Sequence, residues 1–518
     1  MRRVLVVLSL LFASLVVITP VPASAQQATT GFRWNDITSR DGTVLKSNVI
    51  APTTAGRHPG VVLVASWGLT DFQYLAQARE LAERGYVVLS YTTRGFWSSG
   101  GTVEVAGPGD IADVSSAIDW LIANTAVDPG HIGIAGLSYG AGITLLAAAK
   151  DPRIRAVASL SGWADMEESM NGGGTRRTQS AFFLQAVARI VGRPSAEMSR
   201  VLDDYWADRD REYRVRWARE RSAAYSVDAV NRNRPAILMT QALGDSIFPA
   251  NQMVDFFGKL TGPKRLELSP GDHAVVELPG LAGLPNQAWA SLRRWFDQYL
   301  RGVDTGIGDE PGVVLRPHGS SAVESYPDWK QVSTRVERAA LGAPTGPGAT
   351  GRLGGPAAGD WEYRIRTGVD TPAAAGIALL TNGLEGLTGI PPLVWLPAVS
   401  RRDAGVWVSD RLTAGTRVRG VPRLHLSVAS SRPPATAVAY LYDVNAAGIG
   451  RLVSHAPVTW STGAATVGLP MQVTAFDVPE GHRIALVADT KDLLYIDANN
   501  RDSTITFGGD SWLELPMR

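Results

Sequence analysis

From residue 32 onward the chain alternates between two hydrophobic rhythms. GVVLVAS (60–66), YVVLSY (86–91), HIGIAG (131–136) and IRAVASLSG (154–162) are apolar nearly throughout, as strands buried on both faces are. Between them the apolar positions take helical spacing: YLAQARELAERG (74–85), which ends at Gly85, DIADVSSAIDWLIAN (110–124), with Ile111, Val114, Ile118 and Leu121 on one face, and AGITLLAAA (141–149). Ahead of these, FRWNDITSRDGTVLKSNVIAP predicts two strands joined at a turn on Asp41 and Gly42. Repeated strand–helix units imply a mostly parallel, doubly wound sheet with helices on both faces. Its first part spans residues 26–162.

The rhythm breaks over residues 163–234. This stretch is rich in charge and aromatics and has helical spacing but no strand, which predicts a helical cap inserted into the sheet domain. The sheet resumes over 235–302 with strand PAILMTQALGD, helix NQMVDFFGKL, strand RLELSPGDH and helix NQAWASLRRWFDQYLRG. Residues 303–365 are rich in Gly, Pro and Ala, and are expected to form a linker and the first strands of a further domain. From 366 to 518 short alternating strands dominate, among them RLHLSVAS, AVAYLYDV, QVTAFDVP, HRIALVAD and STITFGG, separated by turn residues. That pattern predicts a β-sandwich of jelly-roll type.

The first 25 residues stand apart. A basic start at Arg2 and Arg3, an apolar stretch and the small residues ASA at 23–25 have the form of a secretory signal peptide, with cleavage expected after Ala25. The apolar stretch is shorter than the ~18 residues that indicate a membrane span, so an exported, extracellular or envelope protein with no stable membrane span after cleavage is expected. The 518 residues contain no cysteine, so packing rather than disulfides must stabilise the exported chain. The formal charge is +1 with no basic stripe, which argues against nucleic acid as a partner. Oligomeric state leaves no trace in the sequence.

The candidate chemistry sits in HIGIAGLSYGAG (131–142). A bare G-x-S-x-G means little in a chain with 54 glycines. Here, however, Ser138 falls where a buried strand turns sharply into a helix, and Gly136 and Gly140 are small where strand and helix must approach closely. A serine hydroxyl needs a base to remove its proton, and the base needs a carboxylate to fix its tautomer. In such a sheet the order is serine, acid, histidine, each at the C-terminal end of a strand. Asp245 ends one strand and His273 the next. Of the seven histidines only His273 lies between Asp245 and the end of the sheet domain. The neighbouring Asp272 is a decoy, because adjacent side chains diverge. The Tyr139 backbone N–H, at the start of a helix, is placed to stabilise an oxyanion. The second donor is expected from SWGLT (66–70): a backbone N–H of Trp67 or Gly68, or the Trp67 indole. TTRGFWSSGG (92–101) ends a strand on the same edge and should shape the site. DANNRD (497–502) lacks the glutamate that closes a calcium loop and is taken as a polar turn. No motif implies a metal or cofactor.

In order along the chain, DGTVLKSNVIAP, TTRGFWSSGG, GLSYG, GDSIFP, PGDH and FDVPEGHRIAL resemble the X-Pro dipeptidyl-peptidase and cocaine-esterase family of serine hydrolases. The resemblance implies an α/β-hydrolase core, a helical cap, and a jelly-roll domain packed against both. It implies acyl transfer through a serine ester, with Ser138 as nucleophile, Asp245 as acid, His273 as base and the Tyr139 N–H as oxyanion donor. Two departures stand out. Many members place a tyrosine hydroxyl in the oxyanion hole where this chain has Trp67, and Thr92 replaces the acidic residue usual before T-R-G. Substrate class stays open at this level: an Xaa-Pro peptide or a small acyl ester. A peptide reading requires a cap carboxylate for the substrate amine, for which Glu167, Glu168, Asp203 and Asp204 are candidates. An envelope acyltransferase with the same triad, or a non-catalytic envelope-binding protein, are the alternatives.

Overall fold

The computed structural model describes residues 29–346, 348–355 and 359–518. The segment expected to be a signal peptide lies outside the described residues. The first domain is built on a ten-stranded sheet. Its strands are β1 (Thr30–Thr38), β2 (Val44–Pro52), β3 (His58–Val64), β4 (Val87–Tyr91), β5 (Val127–Leu137), β6 (Ile154–Leu160), β7 (Ala236–Ala242), β8 (Lys264–Ser269), β9 (Val313–Leu315) and β10 (Glu324–Tyr326). They lie in the order β1-β2-β4-β3-β5-β6-β7-β8-β9-β10. The run from β4 to β9 is parallel, and antiparallel pairs close both ends. All residues of β4 and β7 are buried, as their unbroken apolar runs require.

Helices cover both faces: α1 (Leu75–Glu83), α2 (Pro108–Asn124) and α3 (Tyr139–Lys150) in the first half. Five short helices of the insertion follow: α4 (Met166–Asn171), α5 (Thr178–Val191), α6 (Ala196–Ala207), α7 (Arg211–Glu220) and α8 (Val227–Asn233). The second half adds α9 (Asn251–Lys259), α10 (Leu278–Leu281) and α11 (Gln287–Arg301). The sequence of α11 explains its ends and its face. The Asn286 side chain accepts the Trp289 N–H at its start, and Gly302 takes φ 66° at its end. Trp289, Leu292, Trp295, Phe296 and Leu300 are buried against the sheet, each contributing roughly 1.5–3 kcal/mol.

Two expectations change. Of the strands within 303–365, the first two extend the hydrolase sheet instead of beginning the C-terminal domain, while those from Arg335 onward join the second domain: β9 pairs parallel with β8 through Leu266–Val313 to Leu268–Leu315, and β10 folds back on β9. The sheet edge beside β8 is a hydrogen-bonding template, and this segment covers it. The β-rich region also contains a helix, α12 (Thr381–Thr388), where strands were expected.

The second domain starts at Arg335 and packs an eight-stranded sheet against a six-stranded one. Trp407, Leu426, Phe476, Leu486, Ile505 and Phe507 fill the space between them. This domain touches both other parts. Against the cap, the Ile496 N–H donates to Arg176 O at 2.9 Å, and the Thr175 and Thr459 hydroxyls meet at 2.8 Å. Against the core, Asn251 bonds the backbone of Met471 and Val473, each at 2.8 Å. DANNRD is a turn whose Asn499 amide holds Thr436 O and Thr490 O.

Arg94, from the T-R-G loop, is 3 % exposed and donates to both Asp113 oxygens at 2.8 and 2.7 Å, to Glu104 at 2.9 Å and to Asp41 at 3.0 Å. Removing the cation strands a buried carboxylate. Arg94→Met is therefore expected to cost about 3–5 kcal/mol in urea unfolding at pH 7. Burial already holds the Asp113 carboxyl above its ordinary value despite Arg94, and without the cation it must titrate higher still. The deficit should thus grow as pH rises through the already raised value of Asp113 in the parent, and shrink below it. Equal stability of variant and parent at pH 7 would refute this account of the network.

Candidate active site

Strand β5 runs into α3 through a single residue, Ser138, whose backbone sits at φ 58° and ψ −114°. That is a strained conformation for a residue with a side chain, costing of order 1–3 kcal/mol, and the surroundings must enforce it. The Ser138 N–H is held by Leu160 O at 2.8 Å on the neighbouring strand. The flanking glycines have no room to be anything else. A Cβ on Gly136 would lie 2.3 Å from the Gly140 carbonyl carbon, and one on Gly140 would lie 2.1 Å from Val64 O.

The loops after β7 and β8 bring the other two predicted residues to the serine. Ser138 Oγ lies 2.7 Å from His273 Nε2, and His273 Nδ1 lies 2.9 Å from Asp245 Oδ2. Asp245 is fully buried and is fixed from three sides. Its Oδ1 accepts the N–H groups of Ile247 (2.9 Å) and Phe248 (2.7 Å), and its Oδ2 accepts the Gln241 amide at 2.7 Å. Burial by itself would depress the imidazole of His273. The negative charge and hydrogen bond of Asp245 outweigh it, so the group titrates above its ordinary value. Asp272, the decoy, points elsewhere: its Oδ1 accepts the N–H groups of Ser246 and His273, at 2.8 and 2.7 Å, and ties the two loops together. Burial, with Asp245 nearby, pushes its carboxyl up to about 6.

The oxyanion candidates divide. Tyr139 is the first residue of α3, so its N–H has no partner within the helix. The Trp67 indole does not fit the role considered for it: its N–H donates to Leu184 O in the cap at 2.9 Å. A tryptophan indole thus does not replace the family's tyrosine hydroxyl here; of the backbone N–H groups in the same loop, that of Ser66 donates to Gln73 Oε1 at 3.1 Å, which leaves those of Trp67 and Gly68 as the candidates considered. That loop is shaped by Gly68 at φ 70° and by the Trp97 indole, which donates to Gly68 O at 2.8 Å. Thr92 does not act at the site. Its hydroxyl bonds Asp71 at 2.9 Å and braces the same loop from behind. From the T-R-G loop, Phe96 reaches forward and packs edge-on to Trp67, with ring centres 5.0 Å apart.

Above Ser138 the cap helices enclose a cavity of about 120 Å³, walled on the core side by Trp67, Val105, Tyr139, Trp163 and Phe248. Of the four cap carboxylates considered for a substrate amine, only Glu167 lines it, and Glu167 pairs with Arg219 at 3.4 Å. Asp204 pairs with Arg200 and Arg209, while Glu168 and Asp203 are exposed and lie outside its lining.

Three supporting residues carry no signal of their own in the sequence. Gln241 holds the acid. Asn382, on α12 of the second domain, donates to Gly244 O at 2.8 Å. Asp110, capping α2, accepts the Tyr139 hydroxyl at 3.0 Å. Burial, with Asp113 and Glu104 nearby, pushes Asp110 up to about 8.

Comparison with known proteins agrees with this architecture. Residues 41–275 match the family model for X-Pro dipeptidyl-peptidase (S15 family), and residues 305–511 match that for the X-Pro dipeptidyl-peptidase C-terminal non-catalytic domain. A putative Xaa-Pro dipeptidyl-peptidase of Streptomyces avermitilis is 25% identical over 488 residues, 82% of this chain and 69% of the relative. One from Bacillus cereus is 22% identical over 284 residues, 49% of this chain and 46% of the relative. An uncharacterised 31.7 kDa protein of Escherichia coli is 27% identical over 137 residues, 26% of this chain and 48% of the relative. The matches to these last two thus span about half of each relative's length. Among solved structures, an α-amino acid ester hydrolase superposes with a TM-score of 0.71 at 17% identity, covering 96% of this chain and 98% of that one. A CocE/NonD family hydrolase from Staphylococcus aureus gives 0.72 at 13% identity, with 94% of each chain covered, and both likenesses speak to the fold. With both of its domains matched in order, the chain belongs to the X-Pro dipeptidyl-peptidase and cocaine-esterase family of serine hydrolases.

Proposed function

We propose that the protein hydrolyses an ester or amide through an acyl-enzyme formed on Ser138, with His273 as general base and then acid, and Asp245 as its orienting partner. The reading rests on one observation: a serine, an imidazole and a carboxylate joined by contacts of 2.7 and 2.9 Å at the C-terminal edge of a parallel sheet, under a cavity. As Ser138 Oγ attacks the carbonyl carbon, its proton passes to His273 Nε2. The imidazolium so formed is stabilised by Asp245, and the oxyanion by the Tyr139 N–H and the backbone N–H of Trp67 or Gly68. His273 then protonates the leaving group. Water repeats the sequence on the acyl-enzyme and releases the acid. The apolar start of the sequence supports export before this chemistry takes place.

Three outcomes test this reading. A fluorophosphonate probe should label the folded enzyme on Ser138, and Ser138→Ala should abolish labelling and lower kcat about 10⁴–10⁶-fold. Unchanged labelling of that variant would remove Ser138 from the mechanism. The base must be neutral to accept the proton, and its pKa is raised, so kcat/KM should climb with pH through a midpoint above the ordinary value of 6.5. Asp245→Asn should move any remaining activity's midpoint downward; a flat profile from pH 5 to 8 would exclude His273 as the base. Lastly, the amino terminus of the exported protein, read by mass spectrometry, should begin at Gln26, and a retained Met1 would refute export by cleavage.

A further inference from the structure

The wall of the chamber over Ser138 restricts what can sit there. Its cap side is mostly apolar, with Met166, Met170, Leu184, Met198, Val201 and Val215 prominent, while the polar Asn171, Gln185 and Tyr205 also line it, Gln185 accepting the Trp206 indole at 3.0 Å and Tyr205 donating to Met170 O at 2.9 Å. Its charged members are few. Glu167 is engaged with Arg219, and Arg214 is spent on Arg209 O (2.8 Å) and Asp208 (2.9 Å). Arg211 lines the chamber and is also exposed, so the cavity reaches solvent at the start of α7. Among the described residues no unpaired carboxylate faces the cavity.

We propose that this chamber holds the acyl side of the substrate, and that the acyl group is an unbranched apolar chain of several carbons with no free α-amine. The proposal rests on the triad reading above, because the chain is placed by its carbonyl at Ser138. A substrate ammonium taken from water into such a wall must find a counter-charge or bind very poorly, and the one carboxylate available is already paired. A hydrocarbon chain loses nothing there and gains from every methylene buried. Methionine side chains suit such an occupant. Three on this wall are unbranched and polarisable, and they can follow a flexible tail that a rigid ring would not match. The chemistry selected is thus a fatty acyl ester or amide, not a dipeptide with an open amino terminus.

The test is a series of p-nitrophenyl esters from acetyl to decanoyl, with active sites counted by fluorophosphonate titration. With a common leaving group, hexanoyl-p-nitroanilide is set against Gly-Pro-p-nitroanilide. kcat/KM should rise about fourfold per methylene from acetyl to roughly hexanoyl, as burial of each group predicts. The hexanoyl anilide should exceed the Gly-Pro anilide by about 100-fold or more. Ala181→Leu and Ala218→Leu, at two small residues of the same wall, fill the chamber and should each lower the hexanoyl-to-acetyl ratio of kcat/KM about tenfold. Should either fail to fold, Val215→Ala enlarges the same wall and should move the preferred chain longer. A flat or falling series, with Ser138 still labelled, would overturn the chamber assignment alone. So would efficient cleavage of the Gly-Pro anilide that is lost in Glu167→Gln. Failure of Ser138 to be labelled would instead overturn the triad reading on which the assignment stands.

Discussion

The site depends on one backbone compression. Strand β5 and helix α3 meet so closely that residues 136 and 140 can carry no side chain, and the residue between them is forced to a positive φ that only its surroundings can sustain. The strain is offset by what the compression allows. Val64 O sits against Gly140, Leu160 O receives the Ser138 N–H, and the first turn of α3 begins directly behind the serine with an amide that has no partner within the helix. The hydroxyl at the crest then has one direction to face, towards the loops that end β7 and β8. Much of the rest of the hydrolase domain serves to hold those two loops at the right height.

The second domain helps to hold them. Helix α12 grips the acid loop from outside: Asn382 holds Gly244 O, and the Leu379 N–H donates to Ser246 Oγ at 3.1 Å. Gly244 and Gly271 both lie against this element, each too close to it or to its surroundings for a side chain. The β-sandwich domain therefore contacts the loop that carries Asp245 without supplying any of the three residues that meet at Ser138. The family model's term "non-catalytic" describes its residues, while its contacts tie it to the catalytic unit.

Much of this was legible in the sequence, for identifiable reasons. Unbroken apolar runs located the central strands because parallel strands are buried on both faces. Chain order located Ser138, Asp245 and His273, because the crossover topology fixes which strand ends are neighbours. What escaped was set by tertiary contact. TNGLEGLTG has two internal glycines and weak helical propensity, and becomes α12 only because Asn382 and the Gly271–Gly386 approach hold it in place. GVVLRPHG gave a strand correctly but not its sheet, since its partner, β8, was decided by an open edge far away in sequence. The Trp67 indole looked available because its acceptor, Leu184 O, lies 117 positions downstream in a helix whose docking no local pattern encodes.

The cap is fastened on both flanks. On one side the Trp97 N–H donates to Val191 O, the Val103 N–H to Arg193 O and the Ser180 hydroxyl to Ser246 O; on the other, Arg176, Thr175 and Gln179 are stitched to the sandwich. A roof riveted along two eaves does not swing on a hinge. Cap, core and sandwich therefore pack as one body around the cavity, and the exposed Arg211 marks a place where that cavity meets solvent.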